Sequence, residues 1–301
     1  MAVESLTNAR ENLPNTFTDV SIRELDFVTR FGDSWQNLQN VLGIMDLIPK
    51  ESGTKLSAVK ASVTLTDGNV GAGCLIPYSK SAVEEVIFGD VTIEKYAKAT
   101  TIEDVNKYGA KNAIEKTDNA FLTSLQNKVM SKFYTFLLDD TYAMTDAKSN
   151  FKAAVSRAIG MVKDKFDSMD KEVTEVVVFA SINDAYDYMG DAPLSTQTAF
   201  GLEYLQNFLG AKTMFLSSKI PDGKVVAVPV DNIVGYYVDP ANSDFAKMGL
   251  QYTTDGETNL IGFHIQGNYG TAVGENFAIM GITLWCEYAD GIAIVDIDSN
   301  F

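Results

Sequence analysis

Residues 101–138 read TIEDVNKYGAKNAIEKTDNAFLTSLQNKVMSKFYTFLL, and apolar or small side chains recur in them every three or four positions. The positions that share this spacing are Ile102, Val105, Gly109, Ala113, Thr117, Phe121, Leu125, Val129, Phe133 and Phe136. Such a spacing places side chains on one face of an α-helix. The stretch therefore predicts one long amphipathic helix, which would measure roughly 55 Å at about 1.5 Å per residue.

The first turn of this helix carries capping signals. Thr101 can accept a hydrogen bond from a free backbone N–H, and Glu103 and Asp104 lie where the helix dipole favours negative charge. No proline interrupts the stretch, but Gly109 lowers its helical propensity and is a candidate bend. An alternative prediction is therefore two ordinary helices that meet near Gly109 or Thr117.

Composition restricts the class of protein. With 301 residues, of which 46% are hydrophobic, the chain can form a packed core in one large domain or two smaller ones. Its 40 acidic and 24 basic residues give a net charge of −16, and residues 248–301 contain no Lys or Arg. This balance argues against sequence-specific binding of nucleic acid, which needs cations against the phosphates. The sequence has no apolar run of about 18 residues, so we expect no membrane insertion.

Candidate catalytic and ligand-binding residues are few. His264 is the only histidine, and Cys74 and Cys286 are far apart in the sequence, so neither a catalytic triad nor a zinc site has its usual spacing. The segment DGNVGAG at residues 67–73 does not match a dinucleotide- or phosphate-binding fingerprint. We therefore expect no catalytic, cofactor-binding or metal-binding residues, and we expect that the protein is not an enzyme.

The chain before the long helix is predicted to be extended. Residues 1–35 are polar, contain Pro14 and then carry scattered apolar side chains, which is typical of an arm that lies on another surface. A short helix is predicted between Trp35 and Ile48. Residues 53–99 alternate apolar and polar side chains around a Gly-rich loop, the pattern of a long two-stranded β-ribbon. Because such a ribbon is marginally stable alone, we expect it to lie on its own chain or on a neighbouring subunit.

After the long helix, short strands and helices alternate, which is typical of a mixed α/β domain. The predicted elements are a helix over 151–166, a buried strand over 172–182, a helix capped by Asn183 or Asp184, a helix over 199–210, and strands in the last forty or so residues. Pro229 predicts an edge position for its strand, because proline cannot donate a ladder hydrogen bond.

The order of these elements resembles the major capsid protein of tailed bacteriophages, whose Hong Kong 97 fold is shared with encapsulin nanocompartments. The segments that carry the resemblance are IFGDVTIEKYAKATTIEDV at 87–105, EVVVFASINDAYDYMG at 175–190 and FLGAKTMFLSSKIPDGKVVAVPVDNIVGYYV at 208–238. The first is similar to the family's return strand and the start of its spine helix, and the other two are similar to its axial domain. The resemblance covers nearly the whole chain and depends on element order rather than on an invariant motif.

The resemblance implies an α+β fold of the Hong Kong 97 type with four parts. These are an N-terminal arm at 1–35, an extended β-ribbon loop at 53–99, a peripheral domain with the long spine helix at 100–164 and 251–301, and a mixed α/β axial domain at 165–250.

The resemblance also implies that the loop and the arm contact neighbouring subunits. The residues expected at these contacts are Gly68, Gly71, Gly73, Ile76, Pro77 and Tyr78 at the tip of the loop, and Phe17, Ile22 and Phe27 in the arm. Some family members carry a cleaved scaffolding segment or a covalent cross-link between a Lys and an Asn. Here the arm is short and no cross-linking motif matches, so we expect a separate scaffolding protein and non-covalent assembly.

The function that the resemblance implies is that of a structural protein of the virion. Copies of the chain would self-assemble in the cytoplasm of a bacterial host into the hexamers and pentamers of an icosahedral capsid, with a portal. This capsid would contain double-stranded DNA without sequence-specific binding. Three alternatives stay open: an encapsulin shell, an α/β enzyme that uses His264, and a trimeric tail or adhesin-type protein.

Overall fold

The long helix predicted over 101–138 is divided in two in the computed structural model, which describes residues 16–43, 47–141, 143–173, 175–190, 197–199, 202–288 and 291–298. Helix α2 covers Ile102–Tyr108, a π-helical turn covers Lys111–Glu115, and helix α3 covers Lys116–Leu137. Gly109 separates α2 from the π-helical turn with a φ of +80°, a conformation that glycine adopts without steric cost. The prediction of one unbroken helix is therefore wrong, and the alternative of two helices that meet near Gly109 is confirmed.

The other helices are placed partly as the sequence predicted. They are α1 at Thr16–Leu42, α4 at Phe151–Asp167, α5 at Ile182–Met189 and α6 at Ser243–Lys247. Helix α4 confirms the helix predicted over 151–166. The cap of α5 is different from the prediction, because the hydroxyl of Ser181 accepts the hydrogen bond from the backbone N–H of Asn183.

The strands form four sheets. In chain order they are β1 at Leu47–Pro49, β2 at Lys55–Thr64, β3 at Lys80–Asp90, β4 at Glu94–Thr101, β5 at Met144–Lys148, β6 at Val176–Ala180, β7 at Gln197–Ala199, β8 at Leu202–Gln206, β9 at Thr213–Leu216, β10 at Lys224–Pro229, β11 at Ile233–Tyr237, β12 at Ile261–Asn268, β13 at Val273–Met280, β14 at Ile282–Cys286 and β15 at Ala293–Ile297. The helix predicted over 199–210 is wrong, because β7 and β8 form an antiparallel pair in this region.

Most of the predicted arm is helical. Residues 1–15 lie outside the described residues, but helix α1 begins at Thr16 and includes the short helix predicted from Trp35 onward. Phe27, Phe31 and Trp35 recur at near four-residue spacing and are buried in their own chain. The apolar side chains of this part of the arm therefore contribute to the core of the protein.

The described residues belong to two compact units. The first unit combines the ranges Met1–Asn37, Glu94–Asn127 and Asp239–Met280, and the second combines Leu38–Ile93, Lys128–Val238 and Gly281–Phe301. Each unit has its own sheets, and helices α1 and α3 contribute residues to both.

The first unit is built on the antiparallel sheet β12-β13-β4. Helix α1 covers one face of this sheet, where the ring of Phe27 stacks on Phe263 with 4.0 Å between the centroids. The buried carboxylate of Asp118, on α3, accepts hydrogen bonds from Arg23 of α1, Lys98 of β4 and Asn276 of β13. One carboxylate therefore connects two helices and two strands of this unit.

The second unit contains the seven-stranded sheet β5-β15-β10-β6-β9-β8-β7. Every residue of β6 is buried, because helix α4 packs in the core on one side and the rings of Phe133 and Tyr134 contact Phe179. The prediction of a buried strand within 172–182 is thus confirmed. The edge position predicted from Pro229 is wrong: β10 lies between β15 and β6, and Pro229 is its last residue, beyond those that pair with β15.

The second unit also contains the sheet β1-β11-β14 and the two-stranded ribbon β2-β3. The predicted ribbon is confirmed from Lys55 to Asp90, with the strands antiparallel. The last part of the predicted segment is different, because β4 pairs with β13 in the first unit.

Removal of the Asp118 charge should destabilise the first unit. In Asp118→Asn the cations of Arg23 and Lys98 lose their buried partner, and we expect a loss of about 3 kcal/mol in the free energy of unfolding. Urea unfolding followed by circular dichroism measures this free energy of unfolding. Asp26→Asn is the control, because the exposed ion pair of Asp26 with Arg30 should contribute less than about 0.5 kcal/mol. Equal effects of the two substitutions would contradict the role of Asp118.

Phe27 and Ile22 provide a second test, because both were predicted to contact a neighbour. Phe27 is only 2% exposed, so Phe27→Ala should lower the free energy of unfolding of the isolated chain by about 3–5 kcal/mol. Ile22 is 61% exposed, and Ile22→Ala should change it by less than about 1 kcal/mol. A stability of the Phe27→Ala monomer equal to wild type would show that the ring is not part of the core.

Candidate assembly interface

The ribbon β2-β3 is attached to the second unit at its base. Leu56 and Val91 are buried there together with Val238, and Trp285 packs against this cluster. Gly89 lies in van der Waals contact range of the indole of Trp285, and its φ of +148° is a conformation that glycine adopts without steric cost. The base of the ribbon is therefore fixed by a small core of its own.

The two sides of the ribbon differ in polarity. Directly paired residues project to the same side of a two-stranded sheet, and successive pairs alternate between sides. Ser57, Val63, Ser81, Val83, Glu85 and Ile87 lie on one side, which we call the apolar side because it carries the three large apolar side chains of Val63, Val83 and Ile87. Thr64, Lys80 and Ala82 lie on the other.

The apolar side faces solvent in the single chain. Val63 is 61% exposed and Val83 is 72% exposed, and Ile87 is also exposed. Exposed apolar surface costs roughly 25 cal/mol per Å² relative to burial, so these side chains favour contact with another surface. The sequence contained this signal in its alternation, but sequence analysis named only residues of the tip.

The tip of the ribbon is the loop at residues 65–79, and it holds all six of the loop residues predicted for inter-subunit contact. Gly68, Gly71, Gly73, Ile76, Pro77 and Tyr78 are exposed there. Leu75 and Tyr78 are 96% and 99% exposed, so the loop presents large apolar side chains with almost no cover. The loop is nevertheless ordered by local bonds, since Thr66 donates to the carbonyl of Tyr78 at 2.9 Å.

The predicted arm contacts are not brought together in the same way. Phe17 lies in α1, but its side chain is outside the described residues. Ile22 is exposed on α1, whereas Phe27 faces the core of the first unit. Of the three predicted arm contacts, Ile22 is therefore the one whose described side chain is exposed.

His264 has a structural environment. Its Nδ1 lies 3.6 Å from a carboxylate oxygen of Glu24, which is buried. Glu24 accepts hydrogen bonds from the hydroxyl of Thr253 and from the backbone N–H of Ile265, and so satisfies the free edge of β12. The carboxylate beside the histidine thus stabilises a sheet edge.

The cysteines are in opposite environments. Cys286 is buried in β14, and this burial raises the pKa of its thiol, whereas Cys74 is exposed at the tip of the ribbon. Among the described residues, no group of three or more His, Cys, Asp or Glu side chains is arranged to hold a metal ion. In this described part of the chain, no helix has the length and apolar character needed to cross a bilayer.

Comparison with known proteins gives a match in structure only. No protein-family model and no curated protein sequence matches the chain. Among solved structures, the capsid of cyanophage A-1(L) is similar at a TM-score of 0.55 with 11% identity, over 87% of this chain and 92% of that one. A chain from Mycobacterium phage Che8 is similar at a TM-score of 0.50 with 12% identity, over 82% of this chain and 85% of that one.

Encapsulins occur among the similar structures as well. The SrpI encapsulin of Synechococcus elongatus has a TM-score of 0.48 with 13% identity, over 86% of this chain and 87% of that one. At such identities the similarity concerns the fold alone, and the two phage structures are the ones that support it. The chain has a mixed helix-and-sheet fold similar to that of these two phage structures, which confirms the resemblance that its sequence indicated.

Proposed function

We propose that this chain is the major capsid protein of a tailed bacteriophage, which self-assembles into an icosahedral shell of hexamers and pentamers around double-stranded DNA. The observation that carries the proposal is the apolar side of the ribbon, which ends in the exposed side chains of the tip. In a monomer these apolar side chains stay in contact with water, whereas a ribbon that lies on a neighbouring subunit buries them. The capsid fold supplies the context for this contact.

In this proposal the segment 53–99 is the extended loop that lies across an adjacent subunit. Contact between the ribbon of one copy and a different surface of the next is heterologous, and such contacts close into rings when the rotation between copies allows it. Residues 165–250 would lie around the five- and six-fold axes, and residues 100–164 with 251–301 would form the peripheral domain. Residues 1–35, including Phe17 and Ile22, would add contacts to neighbours.

The charge of the chain is compatible with a container for DNA. A net charge of −16 disfavours tight binding of a polyanion over the whole surface, so the packaged molecule stays free to enter and leave. We propose that a separate scaffolding protein directs assembly in the host cytoplasm and that a portal occupies one vertex. An encapsulin shell is the alternative, since the same ribbon contact would serve it.

Electron microscopy of the purified chain, expressed alone and with its neighbouring genes, tests the proposal. We expect closed shells, tubes or rings with five or six members. A shell large enough for a phage genome favours the phage head, and a small shell of fixed size favours the encapsulin alternative. A monodisperse monomer or dimer under both conditions would overturn both.

Adjacent residues of β3 test the role of the apolar side. Val83→Asp places a charge on that side and should abolish assembly, because the carboxylate would be desolvated in the contact. Ala82→Asp is the matched control, because Ala82 is exposed on the opposite side and its variant should still assemble. Size-exclusion chromatography with light scattering measures assembly, and circular dichroism shows whether both variants fold. Equal loss in both variants, or loss in neither, would contradict the contact.

A further inference from the structure

A cleft of about 520 Å³ lies in the first unit between β4 and the segment that runs from α2 to the start of α3. Its lining is rich in hydrogen-bond donors, and the polar residues on which the argument depends are Lys98, Thr100, Asn112, Lys116 and Thr117. Tyr108, which is half exposed, lines the cleft too. Strand β4 is the edge strand of its sheet, and no described strand pairs with its outer edge. Backbone N–H groups at such an edge are further donors.

Two cations bind the carboxylate of Asp118 beside this cleft. Arg23 binds one carboxylate oxygen at 2.7 Å, and the ammonium of Lys98 binds the other. The amide of Asn276 is a further, neutral ligand. The side chain of Arg23 is partly exposed and lines a neighbouring pocket together with Glu115, whereas Lys98 is the more buried of the two cations.

One of these two cations, Lys98, lies at the wall of the cleft. Lys98 lines the cleft, and its ammonium also donates to the hydroxyl of Thr117 at 2.6 Å. Lys116 adds a second, exposed cation. Asp104 is the one carboxylate among the lining residues, and it accepts a hydrogen bond from Thr101 at 2.9 Å. The cleft is thus locally positive in a chain whose net charge is −16.

Exposed lysines continue along the segment beside the cleft. Lys107, Lys111 and Lys116 are all exposed there, and the acidic residues Glu103, Asp104 and Glu115 alternate with them along the chain. Lysine ammonium groups together with hydroxyl, amide and backbone N–H donors are the groups that bind phosphate oxygens in proteins.

We propose that this cleft binds a phosphate group. The ammonium groups of Lys98 and Lys116 compensate its charge. The hydroxyl of Thr100 and the amide of Asn112, which uses one of its two N–H groups on the carbonyl of Tyr108, are the adjacent donors. The phosphate belongs either to a free phosphate or nucleotide, or to the backbone of a nucleic acid, which presents the same chemistry. The inference goes beyond the proposed shell function and does not depend on it, because all these residues belong to one unit of one chain.

Titration of the full-length chain with inorganic phosphate, at an ionic strength held constant with sodium chloride, tests the site. Thermal unfolding is followed in three proteins: wild type, Lys116→Gln, and the control Lys128→Gln, which removes an exposed lysine of α3 that does not line the cleft. We expect phosphate to raise the Tm of wild type and of the control. In Lys116→Gln the Kd for phosphate should rise about tenfold, since a charge-assisted hydrogen bond is lost.

A second measurement separates the two sources of phosphate. Fluorescence anisotropy with a short labelled DNA duplex should show salt-dependent binding that Lys116→Gln weakens and Lys128→Gln does not, if the ligand is a nucleic-acid backbone. A response to inorganic phosphate without binding of the duplex assigns the site to free phosphate or a nucleotide. Absence of a phosphate-dependent Tm shift in wild type, or the same Kd in Lys116→Gln, would overturn the site even if the chain assembles into shells.

Discussion

A two-stranded ribbon is a single layer of strands and has no interior in which to bury its side chains. Each side chain on either side of such a ribbon needs a second surface for its burial. At the base the chain itself provides that surface through Val238 and Trp285, but towards the tip Val63, Val83 and Tyr78 remain exposed. The proposed assembly would bury these exposed side chains, because the ribbon of one copy would lie on the surface of a second copy.

The body of the protein has to hold the base of the ribbon rigidly for such a contact to be specific. In the second unit the base packs on Val238 and Trp285, and the ring of Phe136 on α3 contacts Trp285 with 4.6 Å between the centroids. The first unit is organised differently. There the carboxylate of Asp118 connects α1, α3, β4 and β13, and it binds two cations, Arg23 and Lys98. Lys98 of this cluster also lines the neighbouring cleft, where it provides one of the two cations.

The differences between the predicted and observed elements have physical causes. The period of about 3.6 continues through Gly109, so the sequence pattern alone could not show that this glycine adopts a positive φ and ends α2. The arm was predicted because its apolar residues are scattered among charges, yet Phe27 lies opposite Phe263, more than two hundred residues away. Pro229 was placed at an edge by its missing N–H, but as the last residue of β10 it lies beyond the ladder that would have needed that donor.

Local periodicity and composition were enough to predict several features of the protein. These are the alternation of the ribbon, the continuous β-branched run of β6, the amphipathic face of α4, and the element order that indicated a capsid-like fold. Three others are visible only in the folded chain: which side chains of the ribbon are exposed, which arm residues are buried, and how Arg23, Lys98 and Asp118 meet. These depend on contacts between residues far apart in the chain, and a local pattern carries no information about partners at that distance.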